Sequence, residues 1–124
     1  MAKIDFESMK PVYVQIAELI EDDIVSGRLG ELENCYSQIT ISKEMGVNPA
    51  TAGKGINLLV QKGILVKQRG LSMVVCEGAK AMLVARHKEE QLTTLVESLT
   101  TEARKLQITK EELLLLVEQH YKEV

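Results

Sequence analysis

Two short helical segments held three residues apart decide most of what this chain can become. Ser37 is a good N-cap for a helix over 38–45, and Gly46 closes it. Asn48 and Pro49 then restart the helix at once, as cap and first residue, and it runs from Pro49 to Gln61 or Lys62 before Gly63 stops it. The first segment turns Ile41 and Met45 inward, four residues apart, and leaves Ile39 about 200° around the helix from Ile41, on the solvent side. The second carries an apolar stripe of Ala52, Ile56, Leu59 and Val60. Neither segment can bury its stripe alone. Joined by Gly46-Val47-Asn48 they read as a helix-turn-helix.

What flanks the pair extends the pattern. Upstream, 11–26 is an amphipathic helix with Val12, Tyr13, Ile16, Ala17, Ile20 and Ile24 at spacings of three and four, Pro11 at its first position and Gly27 as its C-terminal cap. Glu21, Asp22 and Asp23 are expected to face solvent, and 28–36 to be irregular. Downstream, 64–68 and 72–76 are short runs rich in β-branched residues on either side of Arg69-Gly70-Leu71, which signals a β-hairpin. A helix-turn-helix followed by a hairpin is the winged-helix order. The expected fold is therefore mainly α with one small β-hairpin, carrying a helical arm at its C-terminal end.

The arm begins near residue 78. A long helix is expected from Ala79 to Leu106, with Leu92, Val96, Leu99, Ala103 and Leu106 alternating four and three apart, as in a coiled-coil seam. Gln107-Ile108 breaks it. Thr109-Lys110-Glu111-Glu112 is a capping box that starts a last helix over 110–122, whose Leu113, Leu114, Leu115, Leu116, Val117 and Tyr121 are apolar over much of its circumference. A two-helix arm is too thin to bury that surface internally, so it is read as a homodimer contact made by Leu92, Val96, Leu99, Leu113, Leu116 and Val117. The expected division is a winged helix-turn-helix domain over 1–77 and a dimerisation arm over 78–124.

Charge points to the partner. The whole chain carries a net −3, but residues 34–76 hold Lys43, Lys54, Lys62, Lys67 and Arg69 against Glu44 alone. A basic segment inside an acidic protein is the electrostatic footprint of a nucleic-acid-reading unit. With 3% aromatic residues and no Trp, the core has to be built from Leu, Ile, Val, Ala and Met. No run of 18 apolar residues and no signal-peptide core is present, so a cytoplasmic protein without a membrane span is expected. Cys35, Cys76, His87 and His120 include the residue types of a zinc site but show none of its spacings, and no cation adjoins Cys35 in sequence to lower its pKa. No metal and no cofactor is therefore expected. Ser/His/Asp and Cys/His arrangements, a phosphate-binding glycine loop and paired carboxylates in a plausible pocket are all missing, which argues against an enzyme.

Several anchors together resemble one family. Pro11-Val12-Tyr13-x-Gln15-Ile16, Ile24-Val25-Ser26-Gly27-Arg28-Leu29, Met45-Gly46-Val47-Asn48-Pro49-Ala50-Thr51 and Leu59-Val60-Gln61-Lys62-Gly63-Ile64-Leu65 look like the GntR family of regulators, over residues 10–76. The short tail, with Leu106-x-Ile108-Thr109-x-Glu111-Glu112-Leu113, resembles the YtrA-like subfamily. The resemblance implies a bacterial homodimer on a palindromic double-stranded DNA operator, often one controlling a nearby transporter operon. The chain departs from the family pattern in three places. Cys35-Tyr36-Ser37-Gln38-Ile39 stands where Leu-Pro-Ser-x-Arg is usual, which places Ile39 at the arginine position. Gly53 and Gly55 occupy the recognition helix, each at a cost of about 0.5–1 kcal/mol relative to Ala. The wing reads Arg69-Gly70-Leu71-Ser72-Met73-Val74-Val75 instead of Arg-Gly-x-Gly-Thr-Phe-Val.

On this reading the third helix enters the major groove and the wing touches backbone or minor groove. Asn48, Ala50, Thr51 and Lys54 are the candidate groove contacts, and Lys43, Lys67 and Arg69, with Gly70 at the wing turn, the candidate backbone contacts. Each has a plainer role available: Asn48 as an N-cap, Thr51 as an exposed helix residue, the cations as a solvated surface. The alternative function is a protein-interaction module using an exposed Ile39, Leu71 and Met73 patch. It accounts for the missing arginine but not for the local basic charge. A small-molecule effector remains open, and no residue cluster marks a pocket for one.

Overall fold

The computed structural model describes residues 3–68, 70 and 73–122. The chain forms two compact units, Met1–Val84 and Ala85–Val124. The first contains α1 (Val12–Ser26), α2 (Gln38–Met45), α3 (Pro49–Gln61), β1 (Leu65–Lys67), β2 (Met73–Val75) and the start of α4 (Ala79–His87). A π-helical turn over Lys88–Leu92 follows, and then α5 (Thr93–Lys105) and α6 (Lys110–Lys122). The helical arm is thus interrupted by one wide turn, where the sequence suggested a single continuous helix.

Local chemistry sets most boundaries. Ser37 Oγ accepts from Thr40 N at 3.0 Å, and Asn48 Oδ1 from Ala50 N at 2.8 Å, so both helices of the turn start on side-chain caps. Gly46 supplies the left-handed residue between them, with φ 65°. Ser42 Oγ donates to Val47 O at 2.6 Å and ties the end of α2 to the turn. Pro11 lies one place outside α1, at its N-cap rather than at its first residue. In the arm, Thr109 Oγ1 accepts from Glu112 N at 3.1 Å; the Glu112 carboxylate accepts from the Thr109 hydroxyl rather than from a backbone amide, so only half of the capping box forms.

The core of the first unit is aliphatic. Ile16, Ala17, Ile20 and Ile24 of α1 pack with Ile41 of α2, Ala52, Ile56 and Leu59 of α3, Ile64, Leu65 and Val75 of the hairpin, and Ala79 and Leu83 of α4. Fully burying each large aliphatic side chain is worth roughly 1.5–3 kcal/mol, and this shared cluster makes three short helices stable together. Gly55 sits where α3 meets α1. A Cβ there would lie 2.8 Å from Ile16 Cγ2 and 3.0 Å from Tyr13 O, so the missing side chain lets the two helices approach. Val60 leaves the expected stripe and is 36% exposed, because Leu59 already fills the inward position at that turn.

Two carboxylates expected in solvent are buried. Glu21 and Asp23 are 6% and 5% exposed. Their spacing explains it: Ala17, Glu21 and Ile24, like Ile16, Ile20 and Asp23, step four and three along α1, so both acids fall on the inward stripe. Each has partners. Tyr36 Oη donates to Asp23 Oδ2 at 2.6 Å, Arg28 Nη1 donates to Oδ1 at 3.3 Å, and Lys62 Nζ stands 3.8 Å from Glu21 Oε2. Only Asp22 of the three acids faces solvent.

The hairpin pairs Leu65 with Val75, Val66 with Val74 and Lys67 with Met73, antiparallel. The segment expected to be irregular lies along the far edge of β2. Leu32 N donates to Val75 O at 2.8 Å, Val75 N to Glu33 O at 3.0 Å and Cys35 N to Met73 O at 2.8 Å. Glu31 then reaches the start of α4, where its carboxylate accepts from Gly78 N at 2.8 Å and Lys80 N at 3.3 Å. The chain between α1 and α2 thus binds the wing and the start of α4 to the helix-turn-helix.

Candidate nucleic-acid interface

Helix α3 is two-faced by its register. Ala52, Gly55, Ile56 and Leu59 turn into the core, and Ala50, Lys54, Asn57 and Gln61, spaced four, three and four apart, form the outward row. Of the expected groove residues, Ala50 and Lys54 stand on that row. Asn48 is exposed just before it, with Oδ1 committed to the cap and its amide nitrogen left to donate outward. Thr51 lies on the flank of the helix, half-buried. Asn57 and Gln61 belong to the outward row and were missed in the sequence; their signal was the helical steps of three and four on from Lys54.

The expected backbone contacts divide. Lys43 shares the solvent face of α2 with Ile39, four residues before it, and both are exposed, Ile39 at 63%. Lys67 ends β1 in an exposed position, and Gly70, also exposed, takes φ 104° at the hairpin turn. Arg69 lies outside the described residues. Lys62 is drawn instead to Glu21, which holds it at the core end of α3. Of the proposed apolar patch, Ile39 is exposed, but Met73 is half-buried and packs on the core, and Leu71 lies outside the described residues. The structure therefore gives no continuous apolar surface there among the described residues.

Between the start of α2, α3 and β2 runs a cleft of about 390 Å³ lined by Tyr36, Ser37, Gln38, Gly53, Asn57 and Met73, with Cys35 at its edge. Burial pushes the Cys35 thiol up to about 11, against the opposing hydrogen bond of the Tyr36 amide and with a lesser push from the Asp23 charge. Cys35 is thus a protonated thiol at neutral pH and a poor nucleophile. Burial and then the hydrogen bond to Asp23 hold the Tyr36 phenol above its usual range. Among the described residues no group of three or more His, Cys, Asp or Glu side chains is placed to hold a metal ion, and no helix is long and apolar enough to cross a membrane.

The second unit has a different surface. Leu92, Val96, Leu99, Leu116 and Val117 are 41–56% exposed, and Leu113 is half-buried between α5 and α6. Leu99, Leu113, Leu116, Val117 and Tyr121 line one open groove of about 500 Å³. Val96, Ala103, Ile108 and Leu114 help to line a second, of about 520 Å³. Both are almost wholly apolar.

No protein-family model matches the chain. YhcF of Bacillus subtilis (strain 168), an HTH-type transcriptional regulator, is 29% identical over 109 residues, 88% of each protein. Among solved structures, a transcriptional regulator of the GntR family from Bacteroides thetaiotaomicron is 28% identical with a TM-score of 0.70, over 90% of this chain and 97% of that one. YtrA from Sulfolobus acidocaldarius, a GntR-family transcription factor, is 26% identical with a TM-score of 0.57, over 99% and 98%. S. agalactiae BusR, solved in complex with its busA-promotor DNA, is 26% identical with a TM-score of 0.53, over 90% of this chain and 58% of BusR. The first three of these relatives are named as transcriptional regulators or transcription factors, and the solved structures match the mainly helical fold with its small antiparallel hairpin. In sequence and in fold, the chain is similar to GntR-family transcriptional regulators.

Proposed function

We propose that the chain is a sequence-specific DNA-binding transcription regulator, a repressor of the YtrA-like type, which acts in the cytoplasm as a homodimer on a palindromic operator. The outward row of α3 carries this reading. Ala50, Lys54, Asn57 and Gln61 are exposed on a helix whose opposite face is filled by the core, and small and polar side chains on such a face suit the major groove. Lys43 and Lys67 on the neighbouring elements supply phosphate partners, and the wing turn at Gly70 follows Lys67 by three residues. The promoter-DNA complex of BusR shows a similar chain at work on DNA.

The dimer rests on the arm. Two apolar grooves flanked by exposed leucines are far more apolar surface than a two-helix unit keeps in water, and a second copy covers them symmetrically. Two α3 helices presented by one dimer then read two half-sites, which is why the operator is expected to be palindromic. No cofactor enters this reading.

An anisotropy titration on DNA from the chain's own upstream region, at several salt concentrations, tests the reading. Affinity should fall linearly on a log–log plot against salt, with a slope of roughly −0.9 for each phosphate neutralised. Replacing Thr51 or Lys54 by Ala should change the preferred sequence. Replacing Leu99 and Leu116 together by Asp should give monomers by light scattering. Salt-independent binding, or none, would overturn the DNA reading; a chain already monomeric at micromolar concentration would overturn the dimer.

A further inference from the structure

The first residue of α2 lies across α3 at a place where α3 has no side chain. A Cβ built on Gly53 would sit 3.2 Å from Gln38 Cδ, 3.2 Å from Oε1 and 3.3 Å from Nε2. The Gln38 carboxamide is therefore seated on the bare backbone of Gly53. Gly53 flanks the outward row, one turn before Asn57, and Gln38 and Asn57 line the same cleft. Gln38 is exposed, and among the described residues its carboxamide makes no hydrogen bond within the protein. Its neighbour Ser37 is already committed to capping Thr40 N. One carboxamide is thus held beside the row of α3 with its donor and acceptor both unused.

We propose that Gln38 is a specificity-determining residue that reads one base edge of the operator, an adenine in the major groove. The inference rests on the DNA-binding reading above and adds a residue from outside the recognition helix. A primary carboxamide presents a donor and an acceptor side by side, which matches the N6 donor and N7 acceptor of adenine and no other base edge as well. Gly53 is the condition for it. Any larger residue at 53 pushes the carboxamide away from α3, so a glycine that weakens the helix is the one that leaves Gln38 in place. The site the family fills with arginine, here Ile39, lies about 100° further around α2, in line with Lys43, so a backbone cation there would leave the Gln38 carboxamide free to meet a base edge.

Selection of bound sequences from a random DNA library, with the full chain, tests this. The wild type should enrich an adenine at one position of each half-site, with about 5- to 150-fold discrimination over other bases. Gln38→Ala should lose the preference at that position alone, and the slope of affinity against salt should hold, since no phosphate contact is removed. Gln38→Glu has acceptors only and should move the preference to cytosine, whose N4 group donates. Gly53→Ala should weaken the adenine preference although residue 53 itself reads nothing. Thermal melts confirm that each variant is folded. A wild type that binds DNA and selects a motif unchanged by Gln38→Ala and Gln38→Glu overturns this inference and leaves the DNA reading standing. Loss of affinity for all sequences with a flatter salt slope also overturns it, since Gln38 would then touch phosphate. A wild type that enriches nothing and binds independently of salt overturns both.

Discussion

Replacing Gly55 by Ala tests the packing argument more sharply than any core truncation, because helix propensity and packing pull in opposite directions. In a free helix the change gains about 0.5–1 kcal/mol. Here the new methyl meets Ile16 Cγ2 at 2.8 Å, Ile16 Cβ at 3.0 Å and Tyr13 O at 3.0 Å. Optimal carbon contacts lie near 3.5–4.0 Å, so α1 has to retreat by roughly 0.5–1 Å. The backbone oxygen cannot swing aside as a side chain can. Overpacking of this kind costs about 1–3 kcal/mol, which set against the propensity gain leaves a net loss of up to about 2.5 kcal/mol and a fall in Tm of up to roughly 20 °C for a domain of this size. Gly53→Ala is the internal control in the same helix. Its new methyl meets only the far end of the Gln38 side chain, at 3.2 Å, which it can displace into solvent, so the propensity gain survives and Tm should rise by a few degrees, roughly 2–8 °C. Scanning melts of both variants at one protein concentration are the assay, since dimerisation makes Tm depend on concentration. If both variants move Tm the same way, or Gly55→Ala stabilises, the close approach of α1 and α3 does not govern the site.

Two further perturbations follow from the same geometry. Ile39→Arg places a guanidinium beside Lys43 on the exposed face of α2 and should tighten DNA binding by about 1–3 kcal/mol and steepen the salt dependence by about one unit, with the melt unchanged; unaltered affinity in a folded variant would show that this face does not meet DNA. The raised Tyr36 phenol means that the folded state favours the protonated form. The stability it contributes is complete below about pH 10, the unfolded value, and is lost as pH rises towards the folded one. Urea melts between about pH 8 and 11 should show this alkaline loss reduced in Tyr36→Phe, which should itself be about 1–3 kcal/mol less stable at neutral pH through the lost bond to Asp23.

What could be read in the sequence was what is decided within a few residues. Ser37 and Asn48 accept from amides three and two positions on, Gly46 donates to the Ser42 carbonyl four positions back, and the helix limits they set in α2 and α3 agree with the structure. The burial of Ile41 and exposure of Ile39 followed from helical phase alone. The failures come from distant partners. Asp23 and Glu21 fall on the inward stripe of α1, but the partners that satisfy them there are remote: Tyr36, thirteen residues on, for Asp23, and Lys62, past the end of α3, for Glu21. The strand-like path of 32–35 shows no alternation because its order comes from β2, not from its own side chains. The π-helical turn at Lys88–Leu92 has no Pro or Gly to announce it. In the candidate interface, Ala50 and Lys54 of the outward row of α3 were legible in the sequence, and Asn57 and Gln61 were not singled out. Gln38 was not, because its placement depends on an absent side chain in another helix.

The hydrogen bonds from Leu32 and Cys35 to Val75 and Met73 have a topological consequence. They close a loop of about forty residues that contains both helices of the helix-turn-helix and one strand of the wing, at an entropic cost that depends only weakly on its length. Within such a loop neither helix can leave without breaking the clasp, and the clasp cannot open without releasing β2 from its partner. The helix-turn-helix and the wing therefore make one cooperative opening unit. In native-state hydrogen exchange the amides of Leu32 and Cys35, outside any regular element of their own, should exchange as slowly as those of α3 and with the same dependence on denaturant.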